Sequence, residues 1–172
     1  IAGKTLVEHA LDYATNSEII KHIIVTTESD EVKDLVKKYD NVLIFDRDKS
    51  YMGEREVADV YVNVTKQFQK DYYNLHMEMT HVVGIQPDHP DRQTTADSLI
   101  TYAVENKYDD LVTVDSSGTR NGAVRITKRK FVESGMMSRR VGSYLDNCTN
   151  IHSEDDLKSA EKNIIERQYN YG

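Results

Sequence analysis

Val82-Val83-Gly84-Ile85-Gln86-Pro87-Asp88-His89-Pro90-Asp91-Arg92 is the stretch whose reading decides the fold. A short apolar run bounded by turn residues reads as a buried strand. It then breaks into a polar loop that holds both prolines of the chain, Pro87 and Pro90. Each proline fixes its own φ, so this loop is rigid. Downstream, Thr94 or Thr95 can cap a helix carrying Ala96, Leu99, Ile100 and Ala103 on one face. Leu111-Val112-Thr113-Val114 is a further strand. Strand, loop, helix and strand in that order form the unit from which parallel sheets are built.

The same alternation extends to both sides. Leu6, Val7, Ala10, Leu11 and Ala14 recur at helical spacing, and Ile23-Ile24-Val25 reads as a strand. Ser29 or Asp30 caps a helix with Val32, Leu35, Val36 and Tyr39, and Val42-Leu43-Ile44-Phe45 is the next strand. A polar loop over residues 46–55 leads into a long amphipathic helix with Val57, Val60, Tyr61, Val64 and Phe68. Beyond residue 114, segments 123–126 and 141–145 read as strands. Ser153-Glu154-Asp155-Asp156 has the pattern of a capping box opening a last helix with Leu157, Ala160 and Ile164. The expectation is an α/β domain with a mainly parallel sheet and right-handed crossovers. Such sheets bind ligands beyond the carboxyl ends of their strands. The loops to inspect are therefore 26–30, 46–55, 86–93 and 115–121.

At 172 residues the chain is expected to be a single domain, 1–172. Its hydrophobic fraction of 38% is enough for a packed core and argues against a disordered tail. The net charge of -7 makes a polymeric nucleic acid an unsuitable partner, since an acidic surface gains nothing from releasing the polymer's counterions. No apolar run approaches the length a membrane helix needs. The single cysteine, Cys148, has no disulfide partner in the chain, and no signal-peptide pattern opens it. Both features point to a cytoplasmic setting. The chain opens at Ile1-Ala2-Gly3-Lys4 without an initiator methionine.

Asp88 is the leading chemical candidate. It follows a buried strand and is flanked by two prolines. A carboxylate so placed suits Mg²⁺, which takes one or two carboxylates together with substrate phosphates. A solvated proline-rich turn explains the same residues without any ligand. Lys4, just before a helix, could meet a phosphate at the helix N-terminus. Asp46-Arg47-Asp48 spells an Asp-x-Asp pattern that could hold a metal-bound nucleotide sugar, though a short acidic turn accounts for it better. Arg47 and Arg55 could contact an anion. His152, beside Glu154, Asp155 and Asp156, could join a metal site, while an acidic helix N-terminus favoured by the dipole explains the three acids. His9, His22, His76 and His81 lack metal-ligand spacing. Neither a P-loop nor a Gly-x-Gly-x-x-Gly motif is present.

Taken in order, these segments resemble the cytidylyltransferases that activate acidic sugars: the acylneuraminate and 3-deoxy-manno-octulosonate enzymes and their spore-coat polysaccharide relatives. Gly3-Lys4-Thr5-Leu6-Val7-Glu8-His9 is similar to the end of the family signature, and residues 23–32 to its second strand and Ser/Thr-Asp-Ser turn. Gly53 with Val57-Ala58-Asp59-Val60-Tyr61 resembles the helix after the base-binding loop. Residues 85–92 lie between two family variants, Gln-Pro-Thr-Ser-Pro-Leu-Arg and Gln-Gly-Asp-Glu-Pro. Asn121-Gly122-Ala123 matches the family's Asn-Gly-Ala, and residues 151–157 its terminal Ile-Asp-Thr-Glu-x-Asp-Leu.

The resemblance implies a three-layer Rossmann-like nucleotidyltransferase fold with a mostly parallel, mixed central sheet. It implies CTP and a small acidic sugar as substrates, Mg²⁺ as cofactor and a homodimer. By the same resemblance Lys4 would hold CTP phosphates and Asp88 the metal. Gln86, Arg47, Arg92 and Asn121 would contact nucleotide or sugar. His152 stands where the family has its terminal metal aspartate, and imidazole is a poor Mg²⁺ ligand. The family also has a strand and a Gly/Ser/Arg-rich phosphate loop ahead of the position of Ile1, and a longer connection where this chain has residues 115–120. The expectation is that residues are missing at both places. A phosphorylated sugar or alditol as acceptor, and a non-catalytic nucleotide-binding relative, are the alternatives.

Overall fold

The computed structural model describes residues 1–47, 57–135 and 138–171. They gather into two compact units. One comprises Ile1–Ile19, Val83–Ile126 and Arg140–Gly172, the other Ile20–Val82 and Thr127–Arg139. The elements follow as α1 (Leu6–Thr15), β1 (Ile23–Thr27), α2 (Asp30–Val36), β2 (Val42–Asp46), α3 (Val57–Asp71), α4 (Tyr73–Glu78) and β3 (His81–Ile85). Then come α5 (Ala96–Glu105), β4 (Asp110–Val114), β5 (Arg120–Lys128), α6 (Arg129–Glu133), β6 (Val141–Leu145) and α7 (Glu154–Tyr171). The α/β class and the mixed, mostly parallel strand arrangement agree with the sequence reading.

The helices begin where side chains can satisfy free N–H groups. Thr5 and Glu8 close a full capping box at α1: Glu8 N–H donates to Thr5 Oγ1 at 3.2 Å, and Thr5 N–H donates to Glu8 Oε2 at 2.7 Å. Ser29 and Thr95 cap α2 and α5 through the N–H groups of Val32 and Ser98. At α7 Asp156 N–H donates to Ser153 Oγ, while the Asp156 carboxylate reaches back to the N–H of His152 at 3.0 Å. The reciprocal half of that expected box thus falls one residue earlier than the usual pattern. Each such cap is worth about 1 kcal/mol.

In the second unit β1 and β2 pair in parallel, from Ile23 opposite Val42 to Thr27 opposite Asp46, with α2 as the crossover. Its core holds Val36, Phe45, Phe68 and Val132. Phe68 stacks on Tyr72 at 5.3 Å, and His76 is buried with Nε2 2.8 Å from Glu133 Oε1.

A four-stranded sheet has the order β3-β5-β4-β6. β4 and β6 are parallel, Asp110 opposite Val141 through Val114 opposite Leu145. β4 and β5 are neighbours joined by the tight turn 115–119, which only antiparallel strands permit. That turn is closed by Asp115 N–H donating to Thr119 O at 2.9 Å, and the Asp115 carboxylate accepts from Ser117 and Thr119. β3 and β5 also run in opposite senses, since Gln86 N–H donates to Ala123 O and Arg129 N–H to Thr80 O. The carboxyl ends of β3, β4 and β6 therefore share one edge with the beginning of β5. Asp110, Leu111, Val112 and Thr113 are buried in succession, which happens when both faces of a strand are covered. α5 packs on β4 and contributes Ala96, Leu99, Ile100 and Ala103 to the core. Burying each Leu or Ile side chain contributes about 1.5–3 kcal/mol. Among the described residues no helix is long and apolar enough to cross a membrane.

Candidate active site

The loop after β3 is held at many points and leaves one carboxylate projecting. Pro87 and Pro90 limit its backbone. Ile151 N–H donates to Asp88 O at 3.0 Å, which fixes residue 88 against the segment that follows β6. Asp91 is buried and accepts from Thr149 N–H at 2.7 Å, from Thr149 Oγ1 at 2.8 Å and from Asn163 Nδ2 of α7 at 2.8 Å. Arg167 of α7 donates to the carbonyls of Asp91 and Arg92. Asp146, fully buried just after β6, accepts from the N–H groups of Gln93 and Thr94 and from Thr94 Oγ1 at 2.7 Å.

Asp88 is the exception in this bound-down loop, with 42% of its side chain exposed. His89 beside it is fully buried, with Nδ1 2.8 Å from Asp88 Oδ1. Among the described residues Asp88 Oδ1 and both ring nitrogens of His89 are buried with no further hydrogen-bond partner. Contact with the His89 ring holds the Asp88 carboxyl below the usual carboxylate range, against the opposing effect of burial. His152 adds a smaller effect in the same direction. An ionised carboxylate with one orphaned and one open side fits a hard cation. Among the described residues no group of three or more His, Cys, Asp or Glu side chains is set to hold a metal ion. His152, exposed on its loop, does not complete such a set. A cation at Asp88 would take the rest of its shell from substrate oxygens and water, as Mg²⁺ commonly does.

The other expected site residues fall into distinct settings. Gln86 ends β3, and its side-chain amide lies against Gly122, where an added Cβ would come within 3.2 Å of both amide atoms. Gly122 has φ +74°, so only glycine suits this position on both counts. Asn121 is fully engaged: Oδ1 accepts from Thr113 Oγ1 at 2.6 Å and from Ala123 N–H at 3.1 Å, and Nδ2 donates to Asp146 O at 2.6 Å. It ties the beginning of β5 to the ends of β4 and β6. Arg92 is buried and donates to Gln86 O and Ala123 O, with its guanidinium 4.9 Å from the Tyr13 ring centroid. It was expected to contact substrate, and the structure instead gives it the task of closing the loop onto the sheet. Lys4 is half-exposed and ion-paired with Asp12. The N-terminus of α1 beside it is occupied by its own capping box. Arg47 belongs to the other unit, where Nη2 donates to Thr26 O at 3.4 Å. Asp48, Gly53 and Arg55 lie outside the described residues.

Asp91 and Asp146, which also shape this edge, carry no mark in the sequence. The proline bracket hinted that residue 89 was constrained. Nothing local to residue 146 announced a buried carboxylate.

Comparisons with known proteins agree with this fold. HddC from Yersinia pseudotuberculosis superposes with a TM-score of 0.66 at 14% identity, over 95% of this chain and 87% of that one. A 4-diphosphocytidyl-2C-methyl-D-erythritol synthase superposes equally well, with a TM-score of 0.66 at 12% identity over 94% of this chain and 89% of that one. At such identities these likenesses speak for the fold. No curated protein matches by sequence. The sequence model of the family described as Cytidylyltransferase matches residues 1–162, almost the whole length, and the chain therefore belongs to the cytidylyltransferase family of nucleotidyltransferases.

Proposed function

We propose that the chain transfers CMP from CTP to a hydroxyl of a small acidic sugar, of the sialic-acid or octulosonate kind, and releases pyrophosphate. The observation that carries this reading is Asp88, an ionised and half-exposed carboxylate at the ligand-binding edge of a cytidylyltransferase-family chain. In such a transfer the sugar oxygen forms a bond to the α-phosphorus as the bond to pyrophosphate breaks. Positioning and neutralisation of phosphate charge account for most of the rate, without a covalent protein intermediate. Mg²⁺ supplies that neutralisation when bound, and Asp88 is the residue that would hold it.

In this reading the amide of Gln86, which lies against Gly122, would meet nucleotide or sugar. Asn121 and Arg92 act by keeping the sheet edge and the loop in register. Lys4 would exchange Asp12 for a CTP phosphate. Arg120 stands exposed at the start of β5, on the same edge, where an acidic acceptor would meet a cation. A cytoplasmic setting and a homodimer belong to the same reading, by resemblance to the acidic-sugar enzymes.

A phosphorylated sugar or alditol as acceptor is the second reading. It is favoured by the likeness in fold to a synthase whose name describes a diphosphocytidyl product. One assay separates the two. The purified chain is given CTP and Mg²⁺ with acidic sugars or with phosphorylated sugars and alditols; pyrophosphate is measured and the product is weighed by mass spectrometry. A CMP-linked acidic sugar supports the first reading and a CDP-linked product the second. Asp88→Ala should lower turnover by at least ~100-fold, as loss of a charge-stabilising group at a reacting centre does. No pyrophosphate from any pyrimidine triphosphate, with any acceptor, would refute both.

A further inference from the structure

We propose that His89 is a positioning residue for Asp88: its buried ring fixes the carboxylate so that the open side of Asp88 faces the cation and phosphates of the substrate. The inference rests on the reading of Asp88 as the cation-holding residue.

His89 cannot touch substrate, because none of its surface is exposed. Asp88 Oδ1 lies 2.8 Å from its Nδ1. Among the described residues Nδ1 has no polar partner other than that carboxylate, and Nε2 is buried without a hydrogen-bond partner. A buried polar ring in that condition costs stability compared with an apolar side chain of similar size. A residue present only to fill space would be better as Leu. The backbone on either side has little freedom, since Pro87 and Pro90 restrict it and Ile151 N–H holds the Asp88 carbonyl at 3.0 Å. The ring therefore bears on the Asp88 carboxylate from a fixed direction, and the arrangement sets which oxygen turns outward. Groups behind a metal-holding side chain commonly have this task, and losing one typically weakens metal affinity 10–100-fold.

The test uses the full chain and Mn²⁺ with CTP present, Mn²⁺ being the EPR-visible probe, because a cation at Asp88 takes the rest of its shell from substrate oxygens. Mn²⁺ binding and the urea midpoint are measured for the native chain, Asp88→Ala, His89→Leu and His89→Asn. Asp88→Ala should lose the binding. His89→Leu should bind Mn²⁺ roughly 10–100-fold more weakly, with a urea midpoint no lower than that of the native chain. His89→Asn places an amide nitrogen near the position of Nδ1 and should recover most of the affinity. Should the Leu variant not fold, His89→Gln provides the same comparison, since its amide reaches towards Nε2 and leaves nothing beside Asp88.

Unchanged Mn²⁺ affinity in His89→Leu, or in His89→Gln in its place, would overturn the proposal. So would affinity and urea midpoint falling together without recovery in His89→Asn, since that is how a purely structural residue behaves. If Asp88→Ala binds Mn²⁺ as the native chain does, the underlying reading of Asp88 fails first, and this inference fails with it.

Discussion

Asp146 offers the most direct test of how the candidate site is held. It is fully buried at the end of β6 and has three donors: Gln93 N–H at 3.0 and 3.1 Å from its two oxygens, Thr94 N–H at 3.0 Å and Thr94 Oγ1 at 2.7 Å. The donors lie at the end of the loop after β3 and just ahead of α5. The carboxylate thus joins two elements. Asp146→Ala removes all of these interactions at once. A hydrogen bond to a charged group is worth about 1.5–3 kcal/mol net, and three of them would sum to about 4.5–9 kcal/mol. Gln93 is exposed and Thr94 only half-buried, so water can replace part of the loss. About 3–5 kcal/mol is therefore expected, the range seen when a buried charged interaction is broken. With a urea dependence of about 1–3 kcal/mol per molar for a chain of this size, the unfolding midpoint should fall by roughly 2 M. Urea titration followed by circular dichroism at neutral pH measures it. Asp146→Asn keeps one acceptor oxygen and should lose about half as much. A fall of less than about 1 kcal/mol for the Ala variant would refute the argument, because it would mean that the donors are satisfied without the carboxylate.

Two further expectations concern neighbouring parts of the same unit. An added Cβ on Gly142 would come within 2.7 Å of Tyr108 Cζ and closer still to two other ring atoms, so Gly142→Ala should cost about 1–3 kcal/mol by overpacking. The double variant with Tyr108→Ala should cost less than the sum of the two single changes in urea titration, and strict additivity would count against direct crowding. Burial, with Asp146 and Asp91 adding, pushes the Cys148 thiol up to about 12. Its folded-state pKa lies above the unfolded one, so its contribution to stability is complete below the ordinary thiol range and is lost as pH rises through it towards the folded value. The native chain should then lose more urea midpoint between pH 8 and pH 10 than Cys148→Ala does; equal losses would contradict the burial.

The elements legible in the sequence are those whose signals are local. Ser29 and Thr95, each one of two neighbouring residues read as a cap, do cap α2 and α5, because a cap needs only residues within one turn. α4 and α6 were not foreseen. Both are short and neither has a side-chain cap, so neither produces a period long enough to notice. β5 was read as residues 123–126 but runs from Arg120 to Lys128, since its ends are polar and are held by neighbouring strands rather than by their own hydrophobicity. The division into two units, with boundaries inside β3 and β5, has no counterpart in composition. At the site, the proline bracket and the preceding strand were enough to pick out Asp88. The roles of Asn121 and Arg92 were not readable, because whether a polar side chain meets ligand or backbone depends on strands far away in sequence. Asp91 and Asp146 were hidden for the same reason: their donors lie 58 and 53 residues away.

The anchoring of Asp91 by Thr149 and Asn163, the latter 72 residues later, also governs when the site can form during synthesis. A ribosome that has just released the loop around Asp88 has released an Asp91 still held by water, because its protein donors have not yet been made. Long-range contacts of this kind form only after the intervening chain has been made and its closure entropy overcome. The nascent protein should therefore remain without a working site until α7 has cleared the exit tunnel and docked. A messenger RNA truncated after β6 should yield ribosome-bound chains that carry most of the sheet and no nucleotide affinity.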